Sequence, residues 1–474
     1  MPDQSLQSII DSETSIVDRL FKNPPKTAHN IFGVMMPAEV VRPEFTTWRD
    51  EQLSWRQSVA LHDQSYHMNN LRVTGMDSLA LFSYLGINSF AKFTPGAAKQ
   101  FVAVSPEGYI IGDAILYYLG ENELLLVGNP ATTDWVQFNG ETGDFDVKVE
   151  LDPIWVLNPA KRRSVYRFQV EGPNAYDLLE ELHGGPLPEI KFFRSGTIMI
   201  AGCKVIAMRH SMGGVPGLEL SGPWDDRTAV KAALVETGKA HGLRQIGSLA
   251  YFSTVIESGW WAVPFSAVYS SPGLKPYREW LSAKSSSARM SLGGSFYSPN
   301  PEDYYLTPWD LNYGHIIKFD HDFVGREALE AMADEPHRRK VTLLWHPQDF
   351  LEVFRRLVND GPTAMHVDLP VSATARVHYD KILDLDGNRV GFGTYPGYSY
   401  NERAQMSLGS VDAAHSAPGT QLILLWGEDG GGSRSTPWIE PHEQIKIRVT
   451  VAPSPISDVA REYRVVQSGV PAIV

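Results

Sequence analysis

Two hydrophobic periods alternate along this chain. Apolar residues recur every three to four positions over Leu6 to Leu20, Ser78 to Tyr84, Asn174 to Leu182, Thr228 to His241 and Glu327 to Ala333, and each stretch predicts a helix with one buried face. Between them the runs AKQFVAVS, YIIGDAILYYL, ELLLVG, SVYRFQVEG and KVIAMRH follow period two, the pattern of half-buried strands. The mixture predicts an α+β fold with mainly antiparallel sheets. Neither an internal repeat nor a low-complexity segment interrupts it.

After Glu335 the pattern changes to strands separated by Gly, Pro and Asp turns: RKVTLLW, SATARVHY, RVGFGTYPGYSY, AQMSLGSV, TQLILLWG and QIKIRVTVA. This predicts a division into residues 1–335 and a C-terminal β domain, 336–474, built as a barrel or sandwich. The loop GEDGGGSRS lacks the GK[ST] and following helix of a phosphate cradle, so it is expected to be a hairpin turn.

At 474 residues the chain exceeds one ordinary core, and two or three domains are expected. Its 42 Lys and Arg against 55 Asp and Glu leave a net charge of −13, which argues against nucleic acid as the main partner. The basic cluster Lys161, Arg162 and Arg163 is read as a solvated strand entry. No apolar run approaches the ~18 residues of a membrane span, and the start lacks the plan of a signal peptide, so a cytoplasmic protein with no membrane partner is expected. The single cysteine, Cys203, excludes an intrachain disulfide and is expected to be a buried, inert thiol.

Chemistry concentrates in four segments. In RHSMGGVPGLEL, Arg209 to Leu220, a strand feeds a glycine-rich turn and re-emerges carrying Glu219, where the backbone can close on a flat ligand and the carboxylate can accept paired N–H donors. An ordinary hairpin with a surface Glu has the same pattern. GSLAYFSTVIESGWW sets Tyr251, Glu257, Trp260 and Trp261 in one loop-to-helix segment, as a stacking site or as core. HDQSYHM spaces His62 and His67 wrongly for one helical or strand face, so a polar constellation of Gln64 and His67 around a reacting oxygen fits better than a metal. Asp113, within GYIIGDAILYYL, is costly to bury and must be paired or functional.

These segments, in this order, resemble the folate-binding family of the glycine-cleavage T-protein, or aminomethyltransferase. KFDHDFVGREAL, Lys318 to Leu329, resembles that family's Lys and Asp-Phe-x-Gly element, and the likeness spans essentially the whole chain. Within the family the chain is most similar to the tetrahydrofolate-dependent aryl O-demethylases of vanillate, 3-O-methylgallate and syringate, through DQSYHM, GINSF, RFQVEGPNA, LHGG, ESGW, YREW, GGSF, GYSYNE, LLWGE and EPHEQ.

The resemblance implies a two-lobed folate-binding fold, two interleaved α+β subdomains followed by a C-terminal barrel or jelly roll. It implies a methyltransferase with tetrahydrofolate as methyl acceptor and no metal, acting alone or as a homodimer in the catabolism of lignin-derived aromatics. By position Glu219 would bind the pterin, Trp260 and Gln169 would line the folate site, and Gln64 would lie where folate and substrate meet. Asp113 would orient the folate amine, Tyr251 would be the tyrosine on which demethylation depends, and His67 would sit beside the aromatic substrate. An unperturbed tyrosine pKa of ~10 suits Tyr251 to protonate a leaving phenolate.

One departure bears on the substrate. Where those enzymes carry an arginine expected to clamp a carboxylate, VGNPATTDW has Asn129, which cannot form the charged fork. A neutral methoxyphenol or an ortho-methoxybenzoate, including a chlorinated one of the dicamba type, is then expected, with His29, His62 and His210 as substitute donors. The segment AHNIFGVMMPAEVV also departs from the tyrosine-containing stretch expected there. Aminomethyl transfer, sulfonium demethylation and a non-catalytic folate scaffold are the alternatives. The scaffold's KGCYxGQE cysteine has no counterpart here.

Overall fold

The computed structural model describes residues 4–23 and 36–468. Two antiparallel-rich sheets and a closed barrel organise the chain. The first sheet runs Leu243–Ile246, Val59–Asp63, Val165–Glu171, Gly217–Pro223, Cys203–Met208 and Ser195–Ile200, antiparallel except for the parallel pair Val59–Asp63 with Leu243–Ile246. The second runs Ala98–Val104, Ile110–Gly120, Glu123–Gly128, Asn69–Thr74 and Lys148–Asp152. Six strands from Arg339–Trp345 to Ile445–Ala452 then close an antiparallel barrel, the α+β architecture with a C-terminal barrel that the patterning predicts.

Each sheet buries one apolar face. On Val165–Glu171 the side chains of Tyr166, Phe168 and Val170 pack under the helices Ala175–His183 and Arg227–Gly238, against Leu178, Leu179, Val230 and Leu234. Burying three such residues contributes about 1.5–3 kcal/mol each. The opposite face carries Arg167, Gln169 and Glu171, and these are buried as well. A strand polar on one face yet buried on both faces a second layer rather than water.

The expected single helix over Leu6 to Leu20 is two helices, Leu6–Ser12 and Ile16–Lys22, because Ser15 stops the first register and caps the second, its Oγ accepting from Asp18 N at 3.2 Å. Helices the periodicity did not show include Trp48–Gln57, Pro130–Thr142 and Pro347–Val358. The loop after Trp426 does join antiparallel neighbours, Gln421–Trp426 and Ile445–Ala452, through a long connection rather than a tight turn. Cys203 is half-buried in the strand next to the sheet edge, not in the core, with its thiol pKa raised chiefly by desolvation. Among the described residues no helix is long and apolar enough to cross a membrane.

Candidate active site

The two sheets are joined by a five-residue link. Val59–Asp63 ends in the first sheet and Asn69–Thr74 begins in the second, so Gln64 to Met68 cross between the lobes and bring Gln64 and His67 to their junction. Arg163 holds the link from behind, donating to the carbonyls of Ser65 at 2.9 Å, Tyr66 at 3.3 Å and Met68 at 2.8 Å, and pairing with Asp152. Expected to be solvated, Arg163 is 2% exposed; four carbonyl and carboxylate partners make a buried guanidinium stable there.

Strand register sets the first wall. His62, Gln169 and Glu219 are direct cross-strand partners and project to one face, with Arg167 and Glu171 two residues either side of Gln169 on the same face. Glu219 accepts from Arg167 Nη2 at 2.6 Å and Nε at 3.2 Å and from the Tyr117 hydroxyl. Burial works against its ionisation, but Arg167, His210 and Tyr117 outweigh burial and hold the carboxyl below its ordinary range. Glu219 is therefore no surface residue of a hairpin. Its turn is held in place by Glu171, which accepts from Met212 N at 3.0 Å and Gly213 N at 3.0 Å and approaches His62 Nε2 at 3.0 Å.

The helix Ser248–Ser258 supplies the second wall. Glu51 accepts from Gly247 N at 2.8 Å and Phe45 N at 2.6 Å, which fixes the start of the helix, while Glu257 near its end takes Trp55 Nε1 at 3.0 Å and Arg56 at 3.0 Å. Between these anchors Tyr251 places its hydroxyl 2.9 Å from His67 Nε2 and 3.3 Å from Met212 Sδ. Burial, only partly opposed by Arg167, pushes the Tyr251 phenol far above its ordinary value. Burial together with Arg167 and Arg163 lowers His67 to about 3. Both groups are neutral over the whole physiological range.

Asp113 lies on the third side. It accepts from Gln100 Nε2 at 2.6 Å, Tyr313 Oη at 3.0 Å and Trp260 Nε1 at 3.3 Å, all neutral donors, and burial raises its pKa despite them and the charge of Lys340. Trp260 is half-exposed beside it, whereas Trp261 belongs to the core.

The structure thus gathers Gln64, His67, Tyr251, Gln169 and Glu219 at one junction, with Asp113 and Trp260 along its flank. Asn129 stands apart from these contacts. It follows the strand Glu123–Gly128, whose last residue pairs with Asn69, and caps the helix Pro130–Thr142, its Oδ1 accepting from Thr132 N at 3.3 Å. His62 is committed to Glu171, and His210 packs on Phe193 at 5.4 Å with its carbonyl accepting Gln169 Nε2 at 2.9 Å. His29 lies outside the described residues, as does most of AHNIFGVMMPAEVV. Sequence reasoning missed Arg167, Glu171, Tyr117 and Met212; the signal for the first two was a polar residue at every second position of RFQVE, charged at both ends.

Several buried polar atoms facing this junction have no partner among the described residues: Gln64 Oε1, Gln169 Oε1, His67 Nδ1 and His210 Nδ1. Leaving such atoms unmet costs about 1–3 kcal/mol each, which marks a place for a ligand rich in N–H and ring-nitrogen groups. A reduced pterin fits that donor and acceptor set.

Comparison with known proteins shows the family and the fold. Residues 25–264 match the GCVT N-terminal domain. The chain is 45% identical over 459 residues to a syringate O-demethylase from Sphingobium sp. (strain NBRC 103272 / SYK-6), covering 97% of both chains. It is 27% identical to a sesamin methylene transferase from Sinomonas sp. (strain No.22), over 84% of this chain and 86% of that one. Among solved structures, the glycine cleavage system aminomethyltransferase T from Bartonella henselae superposes with a TM-score of 0.57 at 19% identity, over 87% of this chain and 90% of that one, and shares the fold.

Proposed function

The chain belongs to the GCVT, or aminomethyltransferase, family, and on that premise we propose that it is a cytoplasmic tetrahydrofolate-dependent O-demethylase that moves the methyl group of an aryl methyl ether to N5 of tetrahydrofolate. The observation that carries this reading is the pair Tyr251 and His67, neutral and 2.9 Å apart, set opposite the Glu219–Gln169 wall across the lobe junction. The likeness to the syringate O-demethylase over nearly the full length supports it.

Tetrahydrofolate, when bound, supplies the nitrogen lone pair that takes the methyl. Glu219, Gln169 and Gln64 would hold its pterin, Trp260 would pack along it, and Asp113 would orient its amine. The carbon–oxygen bond of the ether breaks and the nitrogen–carbon bond forms, so negative charge develops on the aryl oxygen. Tyr251 answers that charge by donating its proton to the oxygen. The burial that raises the Tyr251 pKa acts equally on a phenolate in the same pocket, so donor and acceptor stay matched and the proton passes without a large penalty. His67 Nε2 then returns a hydrogen bond to the tyrosine oxygen. Tyr251 would recover its proton from the one that tetrahydrofolate N5 loses on taking the methyl, so phenol and tyrosine would both be neutral at the end. Holding amine and methyl carbon in contact supplies much of the remaining rate enhancement.

The substrate class we infer rests on the resemblance, which puts Asn129 where related enzymes are expected to carry an arginine. With its side-chain oxygen capping a helix, it offers at most an amide N–H to a ligand, which suits a neutral methoxyphenol or an ortho-methoxybenzoate better than a vanillate-type acid. Turnover of a methoxyaromatic panel with tetrahydrofolate, scored by mass spectrometry for 5-methyltetrahydrofolate, tests the proposal. Absence of that product across the panel contradicts it.

A further inference from the structure

The glycine-rich turn carries one more side chain, Met212, into the lobe junction. Its backbone is clamped from both sides. Inside, Glu171 accepts from the Ser211 hydroxyl at 2.8 Å and from the amides of Met212 and Gly213, both at 3.0 Å. Outside, the helix Asp458–Ser468 lies against Gly214, whose φ is +71° and where an added Cβ would stand 2.5 Å from the Ala460 Cβ. Val215 is buried in the cluster of Trp55 and Tyr251, and Met212 packs against the same cluster.

From that fixed backbone the Met212 Sδ lies 3.3 Å from the Tyr251 hydroxyl and accepts from Gln64 Nε2. The thioether therefore fills the gap between the group that would protonate the aryl oxygen and the amide that would border folate and substrate. Sulfur is a weak acceptor, and the flexible, unbranched side chain can withdraw while its backbone stays clamped. An arriving aryl oxygen can take its place at Tyr251 at little cost.

We propose that Met212 is a specificity-determining residue that restricts the transferred group to methyl. The inference rests on the demethylase reading above. As the carbon–oxygen bond breaks and the nitrogen–carbon bond forms, the folate nitrogen, the carbon under attack and the aryl oxygen lie in one line. A methyl group sets only hydrogens beside that line. An ethyl group adds a carbon that projects sideways, and the flank between Gln64 and Tyr251 is filled by the thioether. One methylene in a close-fitting pocket is worth about 10- to 200-fold in kcat/KM, so shortening Met212 should open the site to ethyl aryl ethers.

The test pairs the methoxyarene turned over fastest in the panel with its ethoxy counterpart on the same ring, 2-methoxyphenol with 2-ethoxyphenol for example. Products are scored by mass spectrometry as 5-methyl- and 5-ethyltetrahydrofolate. The ethoxy-to-methoxy ratio of kcat/KM is expected to rise about tenfold or more in Met212→Ala, by less in Met212→Val, and to stay near the parent value in Met212→Leu, which nearly keeps the volume. Comparing two ethers on one ring cancels a general loss of folding or of folate affinity, and Met212→Val serves where Met212→Ala does not fold. A ratio unchanged in both shortened variants, or raised as far in Met212→Leu as in Met212→Ala, overturns the assignment. If the parent protein forms no 5-methyltetrahydrofolate from any methoxyarene of the panel, the demethylase reading falls and takes this inference with it.

Discussion

The Tyr251 hydroxyl lies 2.9 Å from His67 Nε2, although the two residues are 184 positions apart. One comes from a helix anchored at both ends by carboxylates, the other from the link between two sheets. Each is buried enough to be held neutral. A phenol held neutral by burial keeps its proton until charge develops on a nearby oxygen, and a neutral imidazole beside it leaves that donor unchanged over a wide pH range.

Removing the phenolic oxygen should separate chemistry from binding. Tyr251→Phe keeps the ring contacts with His67 and Phe252 and is expected to lower kcat by about a hundredfold to ten-thousandfold. Tetrahydrofolate affinity measured by titration should stay within about twofold, since the folate wall is built by other residues.

The Arg167–Glu219 pair should be expensive to break from one side. Glu219→Gln leaves a buried guanidinium with its charge unmatched and is expected to cost about 3–5 kcal/mol in urea unfolding, together with loss of folate binding. Arg167→Met combined with Glu219→Gln should recover much of the stability and none of the binding. A loss in the double variant equal to the sum of the two single-variant losses would show that the pair is not coupled.

His67 should make stability depend on pH. Its imidazole is held at about 3 in the folded chain against an ordinary 6.5, so below pH ~6.5 the unfolded chain binds the extra proton and the folded one does not. Stability contributed by the neutral ring is complete above pH ~6.5 and declines as pH falls from there toward 3. Urea midpoints across pH 4–8 should show a shallower acid slope in His67→Gln than in the parent. Turnover, by contrast, should show no step near pH 6.5.

Asn129 should control which acids are accepted. Asn129→Arg is expected to raise kcat/KM for vanillate-type methoxybenzoates severalfold and, by removing the cap on Pro130–Thr142, to lower stability by about 1 kcal/mol. No gain on those acids would show that the carboxylate is anchored elsewhere.

Much of this arrangement is legible in the sequence, and particular residues show where legibility stops. Period two identified Val165–Glu171 as a strand, but it reads Arg167, Gln169 and Glu171 as facing water because alternation does not distinguish solvent from a second lobe. The helix Trp48–Gln57 escaped because buried Glu51 and Gln52 break its apolar stripe, and they are buried because each bonds across to another element. Pro130–Thr142 escaped because its threonines and Gly140 are poor helix formers, and Asn129 with Pro130 supplies the start that composition does not advertise. Arg163 was misread for the reverse reason, since a basic run at a strand entry is usually solvated and here closes over the backbone of the lobe link.

The central claim is methyl transfer from an aryl ether to tetrahydrofolate with Tyr251 as proton donor. A methoxyaromatic carrying a deuterated methyl group, incubated with the full chain and tetrahydrofolate without added metal, tests it in one experiment. The account predicts the phenol and 5-methyltetrahydrofolate in equal amounts, with all three deuterons on the folate methyl and both products nearly absent with Tyr251→Phe. Phenol formed without labelled folate, or undiminished transfer in the variant, would contradict it.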